Sequence, residues 1–368
     1  MRYLFFSLSV FFLASCNSND AEKTDAYSGA TKEEKEVIVY PQEKHLANVQ
    51  MLTNGGDNAE AYFSFDDSSL VLQIRREDWG LNCDQIFAFN WRNENLLESK
   101  PKMISTGKGR TTCSFFMPGD TSILYGSTHS VHDTCPAVPE RGAGGAYVWP
   151  IYPEYDIYVA SLDGEILDTL APSPGYDAEA TVSPKGDKIV FTSDRSGDLE
   201  LYTMDIDGSN IQQITDELGY DGGAFFSPDG SKLVWRASRP KTEEEIKKYK
   251  SLLADGLVEP TQMELFISDL DGSNQRQITN LGNANWAPYF HPSGEKILFS
   301  SNHASERGFP FNLFMIDTTG ENLEQITFDG EFDSFPMFSH DGKKLVWSSN
   351  RKNGDTRNTN LFIADWID

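Results

Sequence analysis

One nine-residue phrase, Phe226-Ser227-Pro228-Asp229-Gly230-Ser231-Lys232-Leu233-Val234, recurs along this chain, with further copies starting at Phe63, Phe116, Val182, Phe290 and Phe338. Each copy reads as the end of one strand, a tight Pro/Asp/Gly turn and the start of a second strand, such as Lys188-Ile189-Val190-Phe191 or Lys344-Leu345-Val346-Trp347. A third strand follows, as in Leu199 to Met204, then a turn at Asp207-Gly208 or Asp271-Gly272. A fourth ends in Gln213-Ile214-Thr215, Gln277-Ile278-Thr279 or Gln325-Ile326-Thr327. Short antiparallel strands in fours, about 44 residues apart between Val182 and Phe226, are propeller blades. The predicted fold is all-β, a six-bladed β-propeller. The sixth blade reaches only its third strand, Asn360 to Asp365, before the sequence ends; Asn48 to Thr53 matches the Gln-Ile-Thr segment and is expected to supply the fourth. An N-terminal strand that closes the ring leaves no open sheet edge.

The phrase together with its Gln-Ile-Thr ending resembles the Tol-type propeller repeat, that of TolB and its relatives, over roughly Val37 to Asp368. The first two blades depart from the pattern, with Asp66-Asp67-Ser68 and Pro118-Gly119-Asp120 in place of Pro-Asp-Gly. The resemblance specifies the fold and says little about function. It implies a place in envelope complexes. Related propellers that precede a serine peptidase domain imply hydrolysis, but no Gly-x-Ser-x-Gly is present here. Others, resembling oligogalacturonate lyases, imply a channel metal held by several histidines, for which His129, His132 and His303 are the candidates.

In such a blade the link into the first strand and the link between second and third strands lie on one side, where function usually sits. The second-to-third links carry the long inserts: about Ser130 to Pro153, Arg236 to Gln262, and Asn302 to Pro310. Two registered polar rings fall on the same face. Five positions before the phrase stand Asn58, Thr111, Asp177, Asp221, Asn285 and Asp333; thirteen after its first residue stand Arg76, His129, Arg195, Arg239, His303 and Arg351. Pairing within or between blades is one role for these rings, ligand contact the other. The two histidines replace Arg in opposite blades and could titrate or bind metal. Glu60 and Glu179 lie two positions after the polar ring, adding negative charge to the channel, where a divalent cation such as Ca²⁺ is conceivable. Arg236 is an anomaly at its strand-end position, suited either to a carboxylate ligand or to those channel acids.

The blade-four insert reads as a helix, with Thr242 and Glu245 as a capping box, Ile246, Tyr249, Leu252 and Leu253 at helical spacing, and Asp255-Gly256 as its stop. It would either cover the channel mouth or pack on its own blade. The blade-two insert mixes Gly142, Gly144 and Gly145 with Tyr147, Trp149, Tyr152 and Tyr155, rings that suit sugar or peptide stacking, or burial. Cys83, Cys113 and Cys135 all fall on this face, so a disulfide from Cys113 to Cys83 or to Cys135 is geometrically plausible, the sequence leaving the pairing open.

Met1-Arg2 followed by an apolar run to Leu13 reads as an export signal, too short to span a bilayer. Leu13-Ala14-Ser15-Cys16 resembles a bacterial lipobox, which implies cleavage after residue 15 and lipid on Cys16. Residues 16–36 are polar and read as a disordered tether; 37–368 form the propeller. The formal net charge of −25 repels phosphate backbones, so nucleic acid is not an expected partner. The expectation is a lipoprotein anchored in the membrane, periplasmic or on the cell surface. Its propeller would bind an envelope protein, peptide or glycan on the insert-bearing face. The competing reading is a carbohydrate-active lyase or hydrolase using a metal or His/carboxylate site at the channel mouth.

Overall fold

The computed structural model describes residues 39–137, 147–306, 308–354 and 356–368. The leader, Cys16 and tether assignments, and the three glycines of the blade-two insert, lie outside the described residues.

Six four-stranded antiparallel sheets follow one another along the chain. Their first strands are Asp57–Phe63, Thr111–Phe116, Asp177–Val182, Asp221–Phe226, Asn285–Phe290 and Asp333–Phe338. These strands contact one another from blade to blade and form the inner wall of the ring. Second and third strands pair outward in order, and short fourth strands such as Gln212–Gln213 form the rim. The sixth sheet is completed by Leu46–Met51, which pairs antiparallel with Asn360–Trp366, Leu46 opposite Trp366 and Met51 opposite Phe362. The N-terminal strand therefore closes the ring, starting two residues earlier than the sequence match.

The recurring residues have local reasons. In the turn of blade four, the Ser227 hydroxyl donates to the Asp229 carboxylate at 2.6 Å and accepts from the Lys232 N–H at 2.9 Å. The Ser227 hydroxyl bond, helped by N–H and O–H donors of Ser231, brings the Asp229 carboxyl down to about 2. At the rim, the Thr that ends Gln-Ile-Thr accepts a third-strand N–H: Leu201 to Thr215, Leu265 to Thr279 and Leu313 to Thr327, each at 2.8 Å. Thr53 does the same for Leu361 at 2.9 Å, which confirms its equivalence to those threonines.

The departures in blades one and two are compensated. Asp67 and Asp120 stand where blade four has Gly230, both with positive φ (57° and 56°). Their carboxylates accept backbone N–H groups from the turn of the preceding blade in the ring: Asp120 from Phe65 and Asp66, Asp67 from His340 and Asp341. A turn that loses glycine gains an inter-blade clamp. Fully buried Phe63, Phe116, Phe191, Phe290 and Phe299 belong to one apolar core cluster. Each contributes roughly 2–3 kcal/mol through burial.

The helix, Glu243–Ala254, lies between the second and third strands of blade four with its capping box in place: Thr242 Oγ1 accepts from Glu245 N at 3.2 Å, and Glu245 Oε2 accepts from Thr242 N at 2.9 Å. Buried Tyr249 turns inward and its hydroxyl meets Asp198 of blade three. The helix packs on the blades, and none of its residues lines the channel cavity described below.

Candidate functional site

The two sequence rings resolve mainly into pairs. Arg195 bonds Asp177 at 2.8 Å, and Arg239 grips both oxygens of Asp221 at 2.7 and 2.8 Å. Burial pushes the Asp221 carboxyl up to about 6, against the opposing bonds from Arg239 and from Trp235 Nε1. Arg351, fully buried, reaches Asp333 at 3.3 Å and both oxygens of Glu43 at 2.9 and 3.1 Å. Glu43 belongs to the N-terminal segment just before the closing strand, so this ion cluster fastens that segment to blade six. Asn58 donates to the carbonyls of Gly55 and Thr359, and Arg76 binds Asp78 and the Asn54 carbonyl. Thr111 donates to the Asp84 carbonyl.

His129 and His303 each share a 3.0 Å hydrogen bond with a serine hydroxyl, Ser127 and Ser301, and lie against the rings of Tyr158 and Phe314. Ser301 in turn donates to Asn285 at 2.7 Å. Burial lowers the pKa of both imidazoles and so favours their neutral form. Neither lines the cavity, nor does His132, which lies 3.8 Å from Glu154. Among the described residues no group of three or more His, Cys, Asp and Glu is arranged to hold a metal ion. The lyase-like donor set does not fit.

The channel wall proper is made one step further along the same strands. Every inner strand carries a β-bulge two residues after its polar-ring residue. The bulged residues are Glu60, Cys113, Glu179, Gly223, Ala287 and Phe335, all with φ between 41° and 60°. Left-handed backbone at non-glycine residues is costly and tends to gather where function does. All six bulged residues line one cavity of about 710 Å³. They make a two-sided collar: Glu, Cys and Glu from blades one to three, Gly, Ala and Phe from blades four to six. Glu60 and Glu179 were visible in the sequence as channel residues and Cys113 only as a disulfide candidate, because the bulge register is a backbone property shared by six unlike side chains.

Glu179 is fully engaged. Its carboxylate accepts from Arg236 at 2.8 Å, from Thr192 at 2.9 Å, from the Gly223 N–H at 2.7 Å and from the Tyr220 hydroxyl. Burial alone would raise this carboxyl, yet the Arg236 charge and the donated bonds bring it below the usual range. Gly223 makes the pair possible, since a Cβ there would sit 1.8 Å from Arg236 Nη1. The Arg236 guanidinium also lies over the rings of Trp149 and Tyr220 at 5.3 and 5.0 Å. Of the two roles the sequence allowed this arginine, pairing with a channel acid is the one observed. Glu60 differs. Desolvation pushes its carboxyl up to about 7; the Cys113 thiol is its hydrogen-bond partner, and Oε2 has none.

The cavity is roofed by inserts. Trp149–Pro150 of blade two pairs antiparallel with Leu257–Val258 of blade four, a two-stranded bridge that spans blade three. Ile151 N–H adds a 2.7 Å bond to the Gly256 carbonyl. Tyr152 and Tyr155 are buried beneath it, whereas Tyr147 is 51% exposed at the rim. Blade five brings Phe309, 66% exposed, beside Phe311, which stacks on Trp286 at 4.4 Å. The disulfide joins Cys83 to Cys135, Cα atoms 5.8 Å apart, and corrects the expectation that Cys113 would be a partner. Cys113 occupies the bulge and faces the channel acid Glu60, while Cys83 and Cys135 meet beside the Arg110–Asp84 pair and tie the blade-two insert to blade one.

Residues 152–255 match the family model described as the TolB beta propeller domain. Among solved structures, one assigned as TolB from Agrobacterium tumefaciens is 18% identical, covering 86% of this chain and 92% of that one with a TM-score of 0.54. TolB from Acinetobacter baumannii is 17% identical over 84% of this chain and 63% of that one (TM-score 0.49). An oligogalacturonate lyase from Vibrio parahaemolyticus is 10% identical over 85% and 79% (TM-score 0.49). No curated protein sequence matches. With its ring of six sheets complete, the chain is a six-bladed β-propeller, and residues 152–255 of it are similar to the TolB propeller domain.

Proposed function

We propose that this protein is an exported, lipid-anchored binding propeller of the bacterial envelope, and that it engages its ligand or protein partner at the insert-bearing face. The observation that carries the reading is the aromatic cavity itself. Three inserts converge on one channel mouth, expose Tyr147 and Phe309 at its rim, and leave about 710 Å³ below them. Concave, mostly apolar sites of this size with a few placed polar groups are binding sites by default. The apolar leader, Cys16 in its lipobox-like setting and the polar segment to Glu36 supply the reasons for export and anchoring. Among the described residues no helix is long and apolar enough to cross a membrane.

The alternative, a carbohydrate-active lyase or hydrolase, has one point in its favour: a carboxyl near pKa 7 is poised for acid–base work. Such chemistry needs a second free group, and the other lining acids, Glu179 and Asp84, are held by Arg236 and Arg110 at 2.8 and 3.0 Å. Binding without turnover fits better. Peptide and glycan arrays probed with the mature protein and with a Tyr147→Ala/Phe309→Ala variant test the assignment. Hits are expected to fade in the variant by about tenfold or more. Hits that survive unchanged would move the site off this face.

A further inference from the structure

Resting on that binding site, we infer that the cavity is built for an organic cation, an ammonium group carried on an apolar body, with the ammonium beside Glu60 and the body against the Ala287–Phe335 side of the collar. The charge inventory of the lining leads there. Its described acids are Glu60, Asp84 and Glu179, and its bases are Arg110 and Arg236. Asp84 pairs with Arg110 at 3.0 Å and Glu179 with Arg236 at 2.8 Å. Glu60 is the acid left over, and its Oε2 is buried with no hydrogen-bond partner. A buried carboxylate oxygen without a donor costs several kcal/mol unless a cation or proton arrives. A ligand that brings an N–H and a positive charge removes that cost.

Other ligand classes fit less well. A sugar needs many unspent donors and acceptors, and several of the neutral polar side chains here are already engaged. Gln73 Oε1 accepts from Cys113 N at 3.3 Å, Thr181 donates to the Ala224 carbonyl at 2.8 Å, and Asn302 is bonded at both ends of its amide. An anion would have to approach the unmatched acid in a protein of net charge −25. The walls, by contrast, already hold a cation, since Trp149 and Tyr220 flank the Arg236 guanidinium. Aromatic rings around a positive group attract it through their quadrupoles. Next to them Trp286, its ring 5.2 Å from that of Trp149 and stacked on Phe311, offers a flat apolar surface for the body of the molecule.

Calorimetric titration of the mature protein with 4-phenylbutylammonium, the neutral 4-phenylbutanol and the anion 4-phenylbutyrate at pH 7.5 tests this directly. The ammonium is expected to bind about tenfold or more tighter than the alcohol, with the carboxylate weakest. Glu60→Gln should abolish that preference. A second readout uses the unmodified protein: at pH 6.5, where Glu60 is still largely protonated, ammonium binding should release a proton, seen as a dependence of the heat on buffer ionisation enthalpy. The charged and titratable groups facing Glu60, namely Glu179, Asp84, Arg236 and Cys113, stay in their present states in that range if the release belongs to Glu60. Equal affinity for alcohol and ammonium, a preference that persists in Glu60→Gln, or no proton release overturns the inference. Array hits that respond to Tyr147 and Phe309 while no ammonium binds would also overturn it, and would leave the binding face standing.

Discussion

Two layers of the same six inner strands, two residues apart, behave in opposite ways. In the layer of Asp177, Asp221, Asn285 and Asp333, nearly every polar group meets a partner from its own blade, Arg195, Arg239, Ser301 and Arg351 among them. In the bulge layer the six backbones adopt one kink while the side chains range from Glu to Phe. The first layer repeats a chemistry that consumes itself; the second repeats a shape and varies the chemistry. A repeat protein distinguishes ligands only where its blades differ, so regularity marks architecture and irregularity at fixed register marks the candidate site.

The comparison breaks most visibly at Arg351. Arg351→Met strands Glu43 and Asp333 in the interior, and the expected loss is about 4 kcal/mol of folding stability, read from urea midpoints. Ligand affinity per folded molecule should not change. Gly223→Ala tests the bulge layer. It puts a side chain at φ 60° and against Arg236, so the Glu179 pair must shift; roughly 2 kcal/mol of stability and a changed cavity are expected, measured by thermal melts and probe binding. A melt indistinguishable from the parent would show the collar to be more plastic than its geometry implies. The sharpest effect is expected at Glu60. Its folded pKa of about 7 lies above the ordinary 4.5, so its contribution to stability is complete below pH 4.5 and is lost as pH rises through 7. Glu60→Gln should match the parent at pH 4 and exceed it by about 3 kcal/mol at pH 8. Glu200, raised to about 8 by burial, acts with the same sign, so the variant retains part of the slope.

The blade count and the closing strand were legible because Pro-Asp-Gly turns and Gln-Ile-Thr endings act locally: Ser227, Asp229 and Thr215 make their bonds within a few residues or to the adjacent strand. The polar rings were legible as positions, and the partners of Arg195 and Arg239 follow from register alone. Glu43 was missed because nothing in Tyr40 to His45 repeats; its role appears only when the chain's first described segment returns to blade six, 308 residues from Arg351. The disulfide was misjudged because face alone does not say which side chains point toward the channel and which toward a neighbour. The collar escaped for a related reason. A bulge flips one residue inward, and neither Ala287 nor Phe335 carries any sign of that in its own chemistry.

The bridge between Trp149–Pro150 and Leu257–Val258 joins two blades that are not neighbours, across roughly a hundred residues of sequence. Such a contact can form only after the intervening blade three has docked between its flanks, so it belongs to the late events of folding. The roof of the cavity is then a record of completed assembly. A chain with blades missing, swapped or unstacked would present the rim aromatics without the chamber behind them, and the site would come into being only in the finished ring.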